Sequence, residues 1–397
     1  MTNDEVPKSE GMRSRPCPPP VLLTSCRNLS RASFGGVRRV RALVEALSPS
    51  AVICQPRDAY PGQDTVVYPV DLGTRKRGIN WGIFNFAWPS NRRVVRRALS
   101  DRKPAVIVTT SMWDTLAFPR GMTTPVIYDA QNVEVIAIAE RYGERHPFTR
   151  LVARREGRAL REAVHVFACS DVDRNTFVRR YGIAAEKITV VPNGVDTKDA
   201  PPTGSVPGDD PLAARLRDRA ILFFMGKLDY QPNTEALDIL QRGVLPELER
   251  IAPGRFVLLV CGGPVPPSAP HSSTVFAGYV PPESLRRYLG SAAVCLAPIL
   301  SGSGTRLKIL EYMAAAKPVV TTAKGAEGIT CADGRDLVIA APDAFAPSIL
   351  RLHANPQTAA TIGTAARRLV EARYDWNRAI KPLWREALTR WMPGKSG

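Results

Sequence analysis

Residues 300–311 read LSGSGTRLKILE. Two glycines, two serines, a threonine and two basic side chains stand ahead of a segment with helical apolar spacing (Leu307, Leu310, Ala314). The apolar run before it, AAVCLAPIL at 292–300, has the character of a buried strand. Residues 301–305 therefore join the carboxyl end of a strand to a helix N-terminus, where unpaired N–H groups and the positive end of the helix dipole converge. Gly302 and Gly304 let backbone approach a phosphate without Cβ interference. Arg306 and Lys308 can add charge-assisted hydrogen bonds, and Glu311 shares a helical face with Gly304 and Lys308. A Gly/Ser turn with an ordinary Lys308–Glu311 surface pair accounts for the same residues. Neither GxxxxGK[ST] nor GxGxxG occurs, which disfavours an ATPase and a simple dinucleotide enzyme.

The elements that must position this stretch follow from short Val/Ile-rich runs alternating with helical periodicity. VLLTSC (21–26), AVIC (51–54), TVVYPV (65–70), AVIVTTS (105–111), PVIYDA (125–130), HVFACS (165–170) and KITVVPN (187–193) form one series. Between the first two, Val37, Val40, Val44 and Leu47 fall on one helical face. After a Pro/Gly/Asp-rich stretch the pattern restarts with ILFFMGKL (221–228), RFVLLVCGG (255–263), TVFAGYV (274–280), AAVCLAPIL, KPVVTTA (317–323) and DLVIAA (336–341). Continuous apolar strands alternating with helices predict an α/β chain of two tandem doubly wound, Rossmann-like domains. Their carboxyl strand edges face across a cleft. The expected division is a disordered tail at 1–20, an N-terminal domain at 21–198, a linker at 199–217, a C-terminal domain at 218–375 and a last helix at 376–397. That helix carries Trp376, Ile380, Leu383, Trp384 and Leu388, is placed to pack back on the N-terminal domain, and should kink at Pro382.

Bulk properties narrow the class. The 397 residues are 44% hydrophobic and 23% charged, an ordinary globular balance that fits two domains. The chain shows no secretory apolar core near its start and no run of about eighteen apolar residues. Its seven cysteines include no CxxC pair, and Cys54, Cys169, Cys261 and Cys295 sit inside apolar runs. They read as small core residues in a reducing compartment, which points to the cytoplasm. No Asp, Glu or His cluster has metal-ligand spacing. The net charge of +17, steepest in the first hundred residues, implies attraction to an anion. It is not interleaved with a nucleic-acid-reading module. In RKRGINWGIFNFAWPSNRRVVRR (75–97), Trp81, Phe84, Phe86 and Trp88 lie between basic blocks. This suits either an anionic membrane interface or core aromatics beneath a solvated arginine face.

Four motifs in register resemble a known family. They are VIYDAQNVE (126–134), KITVVPNGVD (187–196), FMGKLDYQPNTEALDIL (224–240) and APILSGSGTRLKILEYMAAAKPVVTTAKGAEGI (297–329). Over roughly residues 20–375 the chain is similar to the retaining, nucleotide-sugar-dependent glycosyltransferases of family four, with two-domain GT-B architecture. The resemblance implies that Gly302, Ser303, Gly304 and Thr305 hold the donor diphosphate and that Glu311 accepts from the ribose hydroxyls. Lys227, after Gly226, would meet the phosphates with Arg306 and Lys308. Gly278 and Val280 would lie by the nucleobase, and Gly35 and Gly36 would face the donor from the opposite domain. Asp129, Asn132 and Glu134 would line the acceptor side, although a strand-end turn with a helix cap explains them equally well. The nucleotide-sugar is a co-substrate, and the resemblance implies no bound cofactor or metal.

Three departures from the family pattern stand out. The first glutamate of its Glu-x7-Glu pattern is Ser303, the usual second lysine gives way to QPN (231–233), and the histidine often before NVE is Gln131. The chain is expected to move a sugar to an unidentified acceptor, lipid-linked or anionic, at the cytoplasmic side of a membrane. A two-domain binding or scaffold protein without turnover is the alternative that the missing glutamate favours.

Overall fold

The computed structural model describes residues 21–391 except 27, 31–34, 71–74, 77–78, 81–84, 199–203, 205, 207 and 265–270. The expected tail, part of the linker, Trp81 and Phe84 lie outside the described residues. Strands follow in chain order as β1 (Val21–Thr24), β2 (Ala51–Pro56), β3 (Asp64–Tyr68), a separate antiparallel ribbon of β4 (Arg75–Lys76) and β5 (Ile79–Asn80), then β6 (Val106–Thr109), β7 (Val126–Ala130), β8 (His165–Ala168) and β9 (Ile188–Val190). The second series is β10 (Ala220–Met225), β11 (Phe256–Cys261), β12 (Thr274–Gly278), β13 (Val294–Ala297), β14 (Val319–Thr321) and β15 (Val338–Ile339). They build two parallel sheets, ordered β3-β2-β1-β6-β7-β8-β9 and β12-β11-β10-β13-β14-β15. Central strands are buried end to end, as parallel strands covered on both faces must be.

In the first sheet, alternate residues divide between two helical layers. Val21, Leu23, Val106, Val108 and Ile127 pack under helix α1 (Gly35–Leu47), whose Val37, Val40, Val44 and Leu47 are all buried. Leu22, Ile107, Tyr128 and Val166 face the other way. That layer holds α2 (Pro89–Arg102) and, after α3 (Glu134–Tyr142), α4 (Pro147–Glu162). Next comes α5 (Asp171–Tyr181), whose N-cap Ser170 hydroxyl accepts from the Asp173 N–H at 3.1 Å and whose chain turns off at the left-handed Gly182.

At its end the chain recrosses to the first domain. Val195 bridges to Asp375, whose carboxylate accepts from the N–H groups of Asn377 and Arg378 at 2.8 and 2.7 Å. Trp376–Ile380 is a π-helical turn, and the α-helix proper is Lys381–Thr389. The backbone stays helical through Ile380 and Lys381, so Pro382 lies within one run at the point where the π turn passes into α-helix. An irregular turn just ahead of a proline is where its ring and missing N–H are accommodated. Trp384 is fully buried against α1, stacked on Trp376 at 6.1 Å with the Arg39 guanidinium 5.0 Å over its ring.

Candidate active site

Each sheet reverses its strand order once, between β10 and β13 and between β1 and β6. These are the points at which open α/β sheets offer a crevice at their carboxyl edges. The two crevices face each other closely. A Cβ on Gly35 would stand 2.7 Å from the Leu307 side chain, and one on Gly304 would stand 2.3 Å from Asn132 Oδ1.

The 301–305 loop leaves β13 and enters the Leu307–Ala314 helix, for which Arg306 is the N-cap. Gly302 and Gly304 have φ of +92° and +77°, values that only glycine adopts without strain. Arg306 donates to the carbonyls of Ser301 at 3.2 Å, Gly302 at 2.8 Å and Gly304. The expectation that Arg306 is free for a diphosphate is corrected accordingly: its planar fork organises the loop. With the carbonyls gathered on Arg306, the Gly302 N–H points at the other domain and donates to Glu140 Oε2 at 2.7 Å. The Thr305 hydroxyl is buried with no partner among the described residues. Ser303 is half-buried in the same loop, and Ser301 donates to Glu235 at 2.6 Å. Glu311, one helical turn in, accepts from Arg38 of α1 across the cleft.

Beside the loop, Gly226 ends β10, and Gly262, at φ +122°, lies so near the Gly226 carbonyl that no side chain fits. Lys227 is exposed and pairs with Asp229 at 3.0 Å. Lys308 is half-buried and donates to Asn233 at 2.6 Å, 4.5 Å over the Phe224 ring. Burial, and then the nearby Arg306 charge, lowers its pKa to about 7. Asn233, of the QPN that replaces a lysine, also donates to the Lys227 carbonyl at 2.8 Å, so it ties the two lysines' segments together. Gly278, at φ +66°, and the half-buried Val280 flank Tyr279, which is 71% exposed and donates to the Gly263 carbonyl at 2.9 Å.

Across the cleft, a pocket of about 70 Å³ at the β1/β6 switch is lined by Ser25, Gly36, Ser111, Gln131, Asn132 and Glu134 among others. Asn132 donates to Glu134 at 3.3 Å. Asp129, expected at the acceptor, is not there. Period-two alternation puts it on the α1 face with Ile127, fully buried, where Arg39 holds both carboxylate oxygens at 2.9 and 2.6 Å. Beneath the pocket Asp114 is buried and accepts from the Thr24 and Thr109 hydroxyls at 2.9 and 3.1 Å; burial raises its carboxyl to about 7. Sequence reasoning missed Arg38, Glu140 and Tyr279, and it noted Asn233 only as part of the QPN that replaces a lysine. Of the three missed, Tyr279 had a legible signal, an aromatic next to Gly278 at the end of an apolar strand.

Comparison with known proteins agrees with this geometry. Residues 219–355 match the family described as glycosyl transferases group 1, and residues 34–199 match glycosyltransferase family 4. No curated protein sequence matches the chain. Among solved structures, a sucrose-phosphate synthase from Thermosynechococcus elongatus is similar, with a TM-score of 0.71 at 19% identity, covering 94% of this chain and 98% of that one. Anabaena HepE in complex with UDP and glucose gives 0.68 at 16%, over 93% and 99%. WaaG, a glycosyltransferase involved in lipopolysaccharide biosynthesis, gives 0.65 at 16%, over 94% and 100%. With two family matches that lie one on each sheet and a GT-B fold over nearly its whole length, the chain belongs to the family-four glycosyltransferases.

Proposed function

We propose that the chain transfers a sugar, with retention, from a nucleoside diphosphate donor to an acceptor held on the N-terminal side of the cleft. The observation that carries this is the 301–305 loop: two positive-φ glycines, carbonyls gathered on Arg306 and an unpartnered Thr305 hydroxyl, at a switch point facing the other domain. The diphosphate takes the Gly302 N–H from Glu140. Glu311 exchanges Arg38 for the ribose hydroxyls, and the base rests by Gly278, Tyr279 and Val280. Lys227, Lys308 and the helix N-terminus neutralise the leaving group, so most of the barrier lowering is electrostatic. The HepE complexes with UDP and with UDP-glucose support a donor of that kind. The nucleotide-sugar is a co-substrate, and the scheme uses no resident cofactor.

Asn132 and Glu134 receive the acceptor, with Gly35 and Gly36 forming the near wall. The involvement of WaaG in lipopolysaccharide biosynthesis supports a lipid-linked acceptor, and we place the reaction at the cytoplasmic leaflet. Among the described residues no helix is long and apolar enough to cross a membrane. Of the aromatics in 75–97, Phe86 lies in the core 5.2 Å from Tyr68, while Trp88 is 47% exposed. Trp88 with the exposed Arg93 and Arg97 is then the reversible membrane contact, which salt should release. Thermal denaturation against a panel of nucleoside diphosphates tests the donor reading. A ligand at about 100 times its Kd adds about 2.7 kcal/mol, and no melting shift with any of them would sink it. Ser303 in place of a glutamate favours one other reading, a donor-binding protein without turnover. Release of nucleoside diphosphate from any nucleotide-sugar removes it.

A further inference from the structure

The arginines of α2 do more than cover a sheet. Helices α2 and α4 lie on the same face of the N-terminal sheet, with residues 114–120 between them, and leave a groove of about 540 Å³. Arg92 and Arg96 reach it from α2, Arg120 from the intervening segment, and Arg155 and Arg158 from α4, against one acid, Glu162. None of these residues lines the cleft described above.

Five guanidinium groups drawn together repel one another unless an anion joins them. The local supply of acceptors is thin. Arg158 pairs with Glu162 at 2.7 Å, and Arg96 donates to the Ala117 carbonyl at 3.3 Å. Among the described residues, the side chains of Arg92, Arg120 and Arg155 have no hydrogen bond or ion pair, and the Arg92 Nε is buried without a partner. Planar forks from three separate elements match the tetrahedral oxygens of phosphate, and the volume is that of a small-ligand pocket, too small for a nucleic-acid duplex.

We propose that this groove is a second, non-donor site that binds a phosphate-bearing anion of about pyrophosphate size through Arg92, Arg96, Arg120, Arg155 and Arg158. A free phosphorylated solute and a phospholipid headgroup present the same chemistry to it.

The test is isothermal titration of inorganic pyrophosphate into the full chain at about 0.15 M salt, where exposed charges are largely screened. The same titration is run on Arg92→Gln/Arg155→Gln, on Arg97→Gln and on Lys308→Met, which removes a cation from the cleft loop that would itself take a diphosphate. Saturable binding is expected. It should weaken by about a hundredfold in the double variant, about tenfold for each charged hydrogen-bonding partner removed. Arg97→Gln should change it less than twofold, since Arg97 is exposed and pairs with Asp101 at 3.4 Å away from the groove. Lys308→Met weakens the cleft loop and should leave this binding event intact, which separates it from the proposed donor site. Melting temperatures confirm that each variant folds. Co-sedimentation with phosphatidylcholine vesicles, with and without phosphatidic acid, separates the sources. Pelleting with the acidic vesicles that pyrophosphate reverses and the double variant lacks assigns a headgroup. Pyrophosphate binding without any pelleting that it reverses assigns a solute, and both uphold the site. No saturable binding beyond an event that Lys308→Met weakens, or equal binding by the folded double variant, overturns it.

Discussion

Lys308 places a titrating ammonium beside the 301–305 loop proposed to take the diphosphate. Its pKa is lowered to about 7, so it is cationic below that pH and neutral above it. A bound diphosphate favours the cation, and above pH 7 the proton must be taken up on binding. Nucleoside diphosphate affinity is therefore expected to be level near pH 6 and to fall about tenfold per pH unit above 7. Calorimetry from pH 6 to 9 checks this. A level profile in the parent, or the same slope in Lys308→Met, would detach Lys308 from the phosphates. Glu311→Ala should weaken the same ligand by about 1.5–3 kcal/mol, less whatever is regained because Arg38 no longer competes for the carboxylate. Undiminished binding would deny Glu311 the ribose. At this scale the sequence was legible where the candidate site lies in one short segment: Gly302, Gly304 and Glu311 stand together at the cleft. It was silent on Arg38 and Glu140, whose partners stand 273 and 162 positions away along the chain. No local spacing encodes such a meeting.

The carboxyl ends of β1 and β6 are joined through Asp114, which accepts from a threonine on each strand. Its carboxyl, and that of Glu156 under the start of α3, is raised to about 7, chiefly by burial. A raised acid contributes stability fully below the unfolded value near 4 and loses it as pH climbs through 7. The melting temperature should thus fall between pH 5 and pH 7, and Asp114→Asn should flatten part of that slope. A parent curve rising over this window would contradict the assignment. The strands and most helices were readable because apolar runs and 3.6-residue spacing are local properties of the chain. Asp129 was misplaced for a related reason. PVIYDA (125–130) reads as the strand that β7 is, but its apolar run does not say which face of the sheet the acid takes, and the pleat sends Asp129 inward to Arg39. Which of two buried faces a strand residue joins is settled by the partner waiting there, and Arg39 lies 90 positions away.

Two polar contacts span the cleft at the donor site, Arg38 to Glu311 and Glu140 to the Gly302 N–H. Both engage groups that the proposed diphosphate and ribose contacts would use, so on that reading they compete with the donor. Glu140→Ala should bind nucleoside diphosphate several-fold to about tenfold more tightly and show a larger radius of gyration by solution scattering without ligand. Weaker binding by a folded variant would make Glu140 a donor ligand and not a competitor. Charge and domain count were evident from composition, but this closure depends on how two separate units meet. The helix at Lys381–Thr389 has a further consequence, in the order of synthesis. Trp384, Ile380 and Leu388 complete the core over α1, yet they are made after the entire second domain. A nascent first domain leaves the ribosome with that apolar seam open, and it stays open while roughly 180 more residues are added, for about 9–36 seconds at about 5–20 residues per second. Any product released early would carry that seam into solution, which makes it a natural place for a chaperone to hold.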